Sequence, residues 1–313
     1  MARVVKNVAA SVRARLLKLS QETGRDFQLV LTNYALERLL YRLSASKHKK
    51  RFVLKGALLF TVWLDDPFRP TRDLDLLGTG AAEANAVAQT FREILSQQIG
   101  DDGLVFDTKG LRAMPIREAA SYGGIRVETE ATLDRARVPV RIDIGYGDAV
   151  TPGPTEIDYP TLLDDPAPHL QAYPRETVVA EKLEAIATLG LTNSRMKDFY
   201  DLCMIARHFD FDRPTLAQAI AATFKRRGTD IAAEFPDGLT DAYVNRREVQ
   251  TQWRAFRNRD RLSADVEDFG QCVDEIRKFV GPVLDDVRKT ASSAGIWPAG
   301  GPWRSAQRKK PIR

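Results

Sequence analysis

The chain has 313 residues, 43% of them hydrophobic, with 47 Lys and Arg, 42 Asp and Glu, three His and two Cys. That length and apolar content suit one large domain or two ordinary ones with a true core, and exclude general disorder. Cys203 and Cys272 are far apart, and His48, His169 and His208 share no ligand spacing, so zinc and disulfide frameworks are set aside and oxygen-based chemistry remains.

Charge is uneven along the chain. Residues 1–51 hold twelve Lys or Arg against three acids, and the last ten residues hold five bases and no acid, so the middle is acidic. Basic ends could track a phosphate backbone or simply be solvated. The start interleaves basic and apolar residues instead of presenting a leader core, and no apolar run spans a bilayer, so the expectation is a cytoplasmic protein with no membrane partner.

Val5, Val8, Val12, Leu16 and Leu19, then Leu29, Leu36, Leu40 and Leu43 after Gly24, repeat at helical steps and predict two helices packing on the core. Phe52 to Leu54 is a short apolar run. Gly56 opens a segment, ALLFTVWL, apolar almost all round, which reads as a buried helix ended by the Pro67 to Pro70 turn. A strand is expected at Arg72 to Leu77, a helix over about Ala82 to Ile99, and short strands near Leu104 to Phe106 and Leu111 to Met114. From Ile125 the pattern has period two and predicts a hairpin turning at Asp134 to Arg137. The stretch 150–168, with five prolines, reads as a linker. Helices are expected at 174–190, 196–208, 214–227, 239–258 and 264–280, and the last thirty residues have no periodicity.

The fold class expected is α/β: a small mixed β-sheet core flanked by helices, followed by an all-α helical domain. The divisions are 1–51 for the N-terminal helices, 52–165 for the sheet core, 166–282 for the helical domain and 283–313 for a basic, flexible tail.

The chemistry centres on RDLDLL at Arg72 to Leu77. Strand side chains alternate faces, so Asp73 and Asp75 point one way while Leu74 and Leu76 serve the core. Two adjacent like charges repel unless a cation lies between them, and Mg²⁺ takes carboxylate and phosphate oxygens. Asp143, on the other face from Val140, Ile142 and Ile144, supplies a third carboxylate and completes a two-metal site. The plain alternative is a solvated edge strand whose aspartates pair with Arg72 or Arg141. The preceding KGALLF tips the balance to metal, because a glycine entering a helix can hold phosphate on backbone amides.

RFVLKGALLF, RPTRDLDLL and RETVVAEKLEAIATLGLTNSRMKDFYDL, across much of 51–202, together resemble the AbiEii/AbiGii toxin family, which includes the MenT-like toxins, within the DNA polymerase β-like nucleotidyltransferase superfamily. The resemblance implies a toxin of a toxin–antitoxin pair, active in abortive infection, that moves NMP from an NTP onto RNA, commonly the tRNA 3′ end. It implies two Mg²⁺ ions, an NTP substrate and a cognate antitoxin, expected to be of winged-helix type. Its motifs place Gly56, Ala57, Lys182, Arg195 and Asp201 on the nucleotide, and Asp73, Asp75, Asp143, Lys182 and Asp198 in catalysis. The chain departs from the family pattern at Ala57, where relatives carry Gly or Ser.

Read from the residues alone, Lys182 flanks an apolar helical stripe, either snorkelling or reaching a phosphate. Arg195, Asp198 and Asp201 fall at three-residue steps on one helix face, as an ordinary surface pair would. The two halves are expected to close over the nucleotide. Lys47, Lys49, Lys50 and Arg51 are the candidate RNA-binding residues. The rival readings are transfer of a nucleotide or phosphate onto a protein, such as the antitoxin, and a non-catalytic RNA or partner-binding module.

Overall fold

The computed structural model describes residues 7–64, 69–116, 123–260, 262, 266 and 268–305. Val5 of the first helical stripe, Pro67 and Phe68 of the expected turn, and the basic residues of 306–313 lie outside the described residues. The chain divides into two compact units. The first takes residues up to Gly147 together with Thr155–Ala172, and the second takes Asp148–Pro154 and everything from Tyr173 onward.

The first unit begins with α1 (Val8–Thr23), which Asn7 caps by accepting the Ala10 amide, and α2 (Phe27–Ala45), which Asp26 caps through the Leu29 amide. Then come β1 (Phe52–Lys55), a 3-10 turn at Gly56–Leu58, α3 (Leu59–Trp63), β2 (Asp73–Gly78), α4 (Ala84–Leu95), β3 (Leu104–Phe106), β4 (Arg112–Ile116), β5 (Gly124–Leu133), β6 (Ala136–Tyr146), β7 (Thr155–Asp158) and β8 (His169–Ala172). The strands form one mixed sheet in the order β3-β5-β6-β2-β1-β8-β7, with β4 also paired to β5. β2 runs parallel to β6 and β1 parallel to β8; the other pairings are antiparallel.

β2 is therefore central, not an edge strand. Its Leu74 and Leu76 are fully buried, as are Ile142 and Ile144 of β6, and α2, with Leu36, Leu39 and Leu40 buried, packs against β6. The proline-rich stretch expected to be a linker instead carries β7 and leads into β8. The reason it was invisible is that β8 joins the sheet through a distant partner, Leu54 against Ala172, which no local periodicity reports.

A buried ionic network ties α2 to two loops. Asp102 accepts from Arg42 at 2.7 and 3.1 Å and from Arg38 at 3.4 Å; Glu37 accepts from Arg38 at 3.2 Å and from the Leu162 amide at 2.7 Å. Burial raises the Glu37 carboxyl to about 7, against an ordinary 4.5, even though Leu162 and Arg38 pull it down. A carboxyl raised on folding stabilises fully below its unfolded value and loses that contribution as pH climbs to its folded one. Wild-type stability from this group therefore declines between about pH 4.5 and 7. Glu37→Gln is expected to remove the slope and to raise stability at pH 8 by up to about 3 kcal/mol. Urea unfolding across that window checks it: a variant whose stability declines over the same range as wild type refutes the assignment.

The second unit is helical: α5 (Arg175–Leu189), α6 (Met196–His208), α7 (Arg213–Arg227), α8 (Asp241–Val244), α9 (Arg247–Asp260) and α10 (Phe269–Arg288), plus a two-strand ladder of β9 (Phe211–Asp212) with β10 (Ile296–Trp297). The single helix expected over 239–258 is broken at Asn245–Arg246. The helix expected to end at 280 continues through Pro282 to Arg288. Beyond it, the aperiodic stretch read as a tail docks. Trp297 is buried, its indole N–H donates to the Ala206 carbonyl at 2.7 Å, and both Trp297 and Trp303 pack on Phe279. Isolated tryptophans between glycines carry no period, so only their burial identifies them as anchors.

Candidate active site

In the first unit the carboxylates come together through strand register. Asp73 and Asp75 share one face of β2, and Asp75 is the direct partner of Asp143 on the parallel strand β6, so all three project from the same side of the sheet. Asp73 and Asp75 are half-buried, above the sealed Leu74 and Leu76.

Gly56 lies beside them. Its φ is +75°, and a Cβ there would come 2.8 Å from Asp75 Cβ and collide with the carboxylate, so only glycine lets the β1 turn pass this close. Ala57, next to it, is buried and can offer its backbone but not an exposed side chain.

Arg126 is the residue that sequence reasoning missed. It faces Asp143 across the β5–β6 ladder and grips it as a fork, Nε to Oδ1 and Nη2 to Oδ2, each 2.7 Å. That hydrogen-bonded pairing pushes the guanidinium above its ordinary range against a smaller effect of burial. The signal was available in the turn. A two-residue turn at Asp134–Arg135, with Asp134 at φ +54°, pairs Leu133 with Ala136 and hence Arg126 with Asp143. Extending the turn to Arg137 shifts the register and hides the pair. Alongside, Arg141 stands 3.8 Å from Asp73 and 3.4 Å from Glu128.

Among the described residues no three His, Cys, Asp or Glu side chains are placed to cage a metal unaided. The donor set still fits a hard divalent ion of the kind held by one or two carboxylates plus substrate phosphates, because Asp73 and Asp75 are adjacent oxygen donors. A carboxylate has about four lone-pair positions, so Asp143 can keep Arg126 and accept another partner. Arg126→Met is expected to lower turnover by about 10- to 100-fold with little change in KM for the nucleotide, as loss of an orienting partner does. Steady-state kinetics check this, and a rise in KM alone would point to a substrate contact instead.

In the second unit Lys182, Arg195, Asp198 and Asp201 also form one cluster. Lys182 Nζ lies 3.0 Å from Asp198 Oδ1 and 2.6 Å from Asp201 Oδ2, and Arg195 Nε lies 2.7 Å from Asp198 Oδ2. Of the two readings left open by the residues, burial disfavours the surface pair: Asp198 and Asp201 are buried and only Arg195 is substantially exposed. Burial pushes the Asp198 carboxyl up, but Lys182 and Arg195 outweigh it and hold the group below its ordinary value. Nor does Lys182 merely snorkel. Lys182→Ala strands two buried carboxylates and is expected to cost about 3–5 kcal/mol, visible as an earlier urea midpoint. An unchanged midpoint would return Lys182 to the helix surface.

Lys47 pairs with Glu93 at 2.9 Å, Lys49–Arg51 form a 3-10 turn, and Arg51 donates to Thr90 Oγ1 at 3.1 Å. The basic run is thus partly neutralised. A further cluster unforeseen from the sequence holds Arg227 against Asp148, Glu181 and Glu184, at 3.1, 3.3 and 2.7 Å.

A family model described as nucleotidyl transferase AbiEii toxin, type IV toxin–antitoxin system, matches residues 38–275, about three quarters of the chain. The chain belongs to the AbiEii nucleotidyltransferase toxin family. It is accordingly an NTP-using enzyme of a family whose members pair with an antitoxin. Two solved structures are similar: JHP933 from Helicobacter pylori, at 15% identity and TM-score 0.44 over 81% of this chain and 90% of that one, and a candidate nucleotidyltransferase from H. pylori, at 16% and 0.45 over 81% and 93%. No curated protein matches. No helix among the described residues is long and apolar enough to cross a membrane.

Proposed function

We propose that this AbiEii-family chain transfers NMP from an NTP to a hydroxyl of RNA, with the tRNA 3′ end as the acceptor, and so acts as the toxin of its pair. The observation that carries the reading is the register that sets Asp73, Asp75 and Asp143 on one sheet face, with Gly56 shaped to pass beside Asp75. The acceptor oxygen attacks the α-phosphorus, the bond to pyrophosphate breaks, and the hydroxyl proton passes through its hydrogen bond to Asp143 and on to water as the new ester forms. Asp143, oriented by Arg126, accepts the hydrogen bond of that hydroxyl. Asp73 and Asp75 would hold Mg²⁺, two ions in the complete complex, which would offset triphosphate charge and lower the pKa of the attacking hydroxyl. The backbone of Gly56 and Ala57 in the first unit serves the triphosphate, and in the second unit Asp198 and Asp201 hold Lys182 in place.

Two features favour RNA over protein as acceptor: the basic N-terminal region and the carboxylate face, which requires a polyanion to be steered by cations elsewhere. The test combines purified protein, Mg²⁺ and each labelled NTP with total RNA or with a protein lysate cleared of nucleic acid. Label is expected on small RNA, declining steeply with salt and with joint neutralisation of Lys47, Lys49, Lys50 and Arg51. Label on protein alone replaces this reading with transfer onto a protein. For the partner, a winged-helix protein encoded beside this chain should suppress its toxicity.

A further inference from the structure

We propose that the outer face of α9 is an RNA-backbone contact surface of the second unit, an inference that rests on RNA being the acceptor. Helix α9 has two sharply different sides. Val249, Trp253 and Phe256, at steps of four and three, are buried, and Trp253 packs among Tyr200, Phe256 and Phe269. Arg247, Thr251, Arg254 and Asn258, also at steps of four, three and four, are all exposed. That stripe contains no acid, and Arg246 and Arg259 are exposed beside it, while Glu248 lies on its flank. From Arg246 to Asp260 there are five arginines, two acids and no lysine.

The composition identifies the partner. A protein-docking face centres on large apolar or aromatic side chains. On α9 those are turned inward, and none of the exposed large hydrophobic residues belongs to this helix. Arginine with Thr and Asn instead supplies forked guanidinium donors for phosphate and small polar groups for sugar hydroxyls. Arg247 and Arg254 are seven residues apart, about 10 Å along the axis, so they can reach separate phosphates. The aromatic anchor fixes the helix before any ligand arrives, which spares ordering entropy on binding. The chain thus has an ordered basic surface besides residues 1–51, and one whose stripe carries no compensating carboxylate.

The experiment compares wild type, Arg247→Gln/Arg254→Gln, and Lys225→Gln/Lys289→Gln as an exposed control that removes the same charge. Fluorescein-labelled bulk tRNA and a labelled DNA duplex are titrated across a salt series, and label transfer from NTP to RNA is measured in parallel. The double variant, with an unchanged melting curve, is expected to bind tRNA roughly tenfold more weakly at about 0.15 M salt and to lose about two from the slope of log affinity against log salt. Its KM for RNA rises while turnover at saturating RNA holds. Arg247→Lys/Arg254→Lys restores most of the salt slope. Unchanged tRNA affinity and slope, or a loss confined to the DNA duplex, overturns the proposal. If wild type binds tRNA through α9 but transfers no label to it, the acceptor assignment fails and the surface stands. If transfer proceeds and the double variant matches wild type, the surface alone fails.

Discussion

Asp75→Asn is expected to reduce nucleotide transfer by about a thousandfold, close to 4 kcal/mol of transition-state stabilisation, while the melting temperature stays nearly unchanged. Asparagine keeps the shape of Asp75 but replaces one carboxylate oxygen with an NH2 donor and removes the negative charge that a hard cation binds. Because Asp75 is in register with Asp143 and two residues from Asp73, the substitution also relieves like-charge repulsion, which offsets part of what its lost charge costs the fold. Gly56→Ala should reproduce the activity loss by a different route: its Cβ displaces the Asp75 carboxylate and strains a backbone at φ +75°. Transfer assays with melting curves on both variants are the check. Full activity in Asp75→Asn would remove the carboxylate face from the mechanism.

Asp102→Ala is expected to cost about 3–5 kcal/mol of stability without touching the carboxylate face. Arg38 and Arg42 are almost wholly buried, and each directs its guanidinium at Asp102. Removing the carboxylate leaves two buried cations short of a counter-charge and releases the Leu104 amide that Asp102 Oδ1 accepts at 3.1 Å. Exposed Asp101, which accepts only a local bond from the Gly103 amide among the described contacts, makes the matched control, with an expected loss below about 1 kcal/mol. Denaturant unfolding of Asp102→Ala and Asp101→Ala decides it; equal losses would show that the network carries no more than a surface turn does.

Much of the framework was legible because it is written in local period. The helices α1, α2, α5, α6 and α7 and the hairpin β5–β6 follow from stripes of buried residues whose spacing matches the geometry of one element. Asp73 and Asp75 could be set on one face for the same reason, since alternation along a strand needs no knowledge of its neighbours. The basic 47–51 run was equally visible, but not Glu93, which pairs with Lys47 from another helix.

What stayed hidden depends on residues far apart in the chain. β7 and β8 pair with each other and belong to the main sheet through β1, and the Trp297 and Trp303 anchors have meaning only against Phe279. The residues alone left Asp198 and Asp201 open between a surface pair and a functional cluster, because Lys182, on the preceding helix, supplies the counter-charge that makes their burial tolerable. By itself the sequence determined the type of most elements, the DxD strand and the family, since these reside in short motifs and in periodicities of two and 3.6. Only the tertiary structure decided that Asp143 stands beside Asp75, because the two parallel strands share no turn to set their register, and a shift of two residues would have put a different side chain opposite.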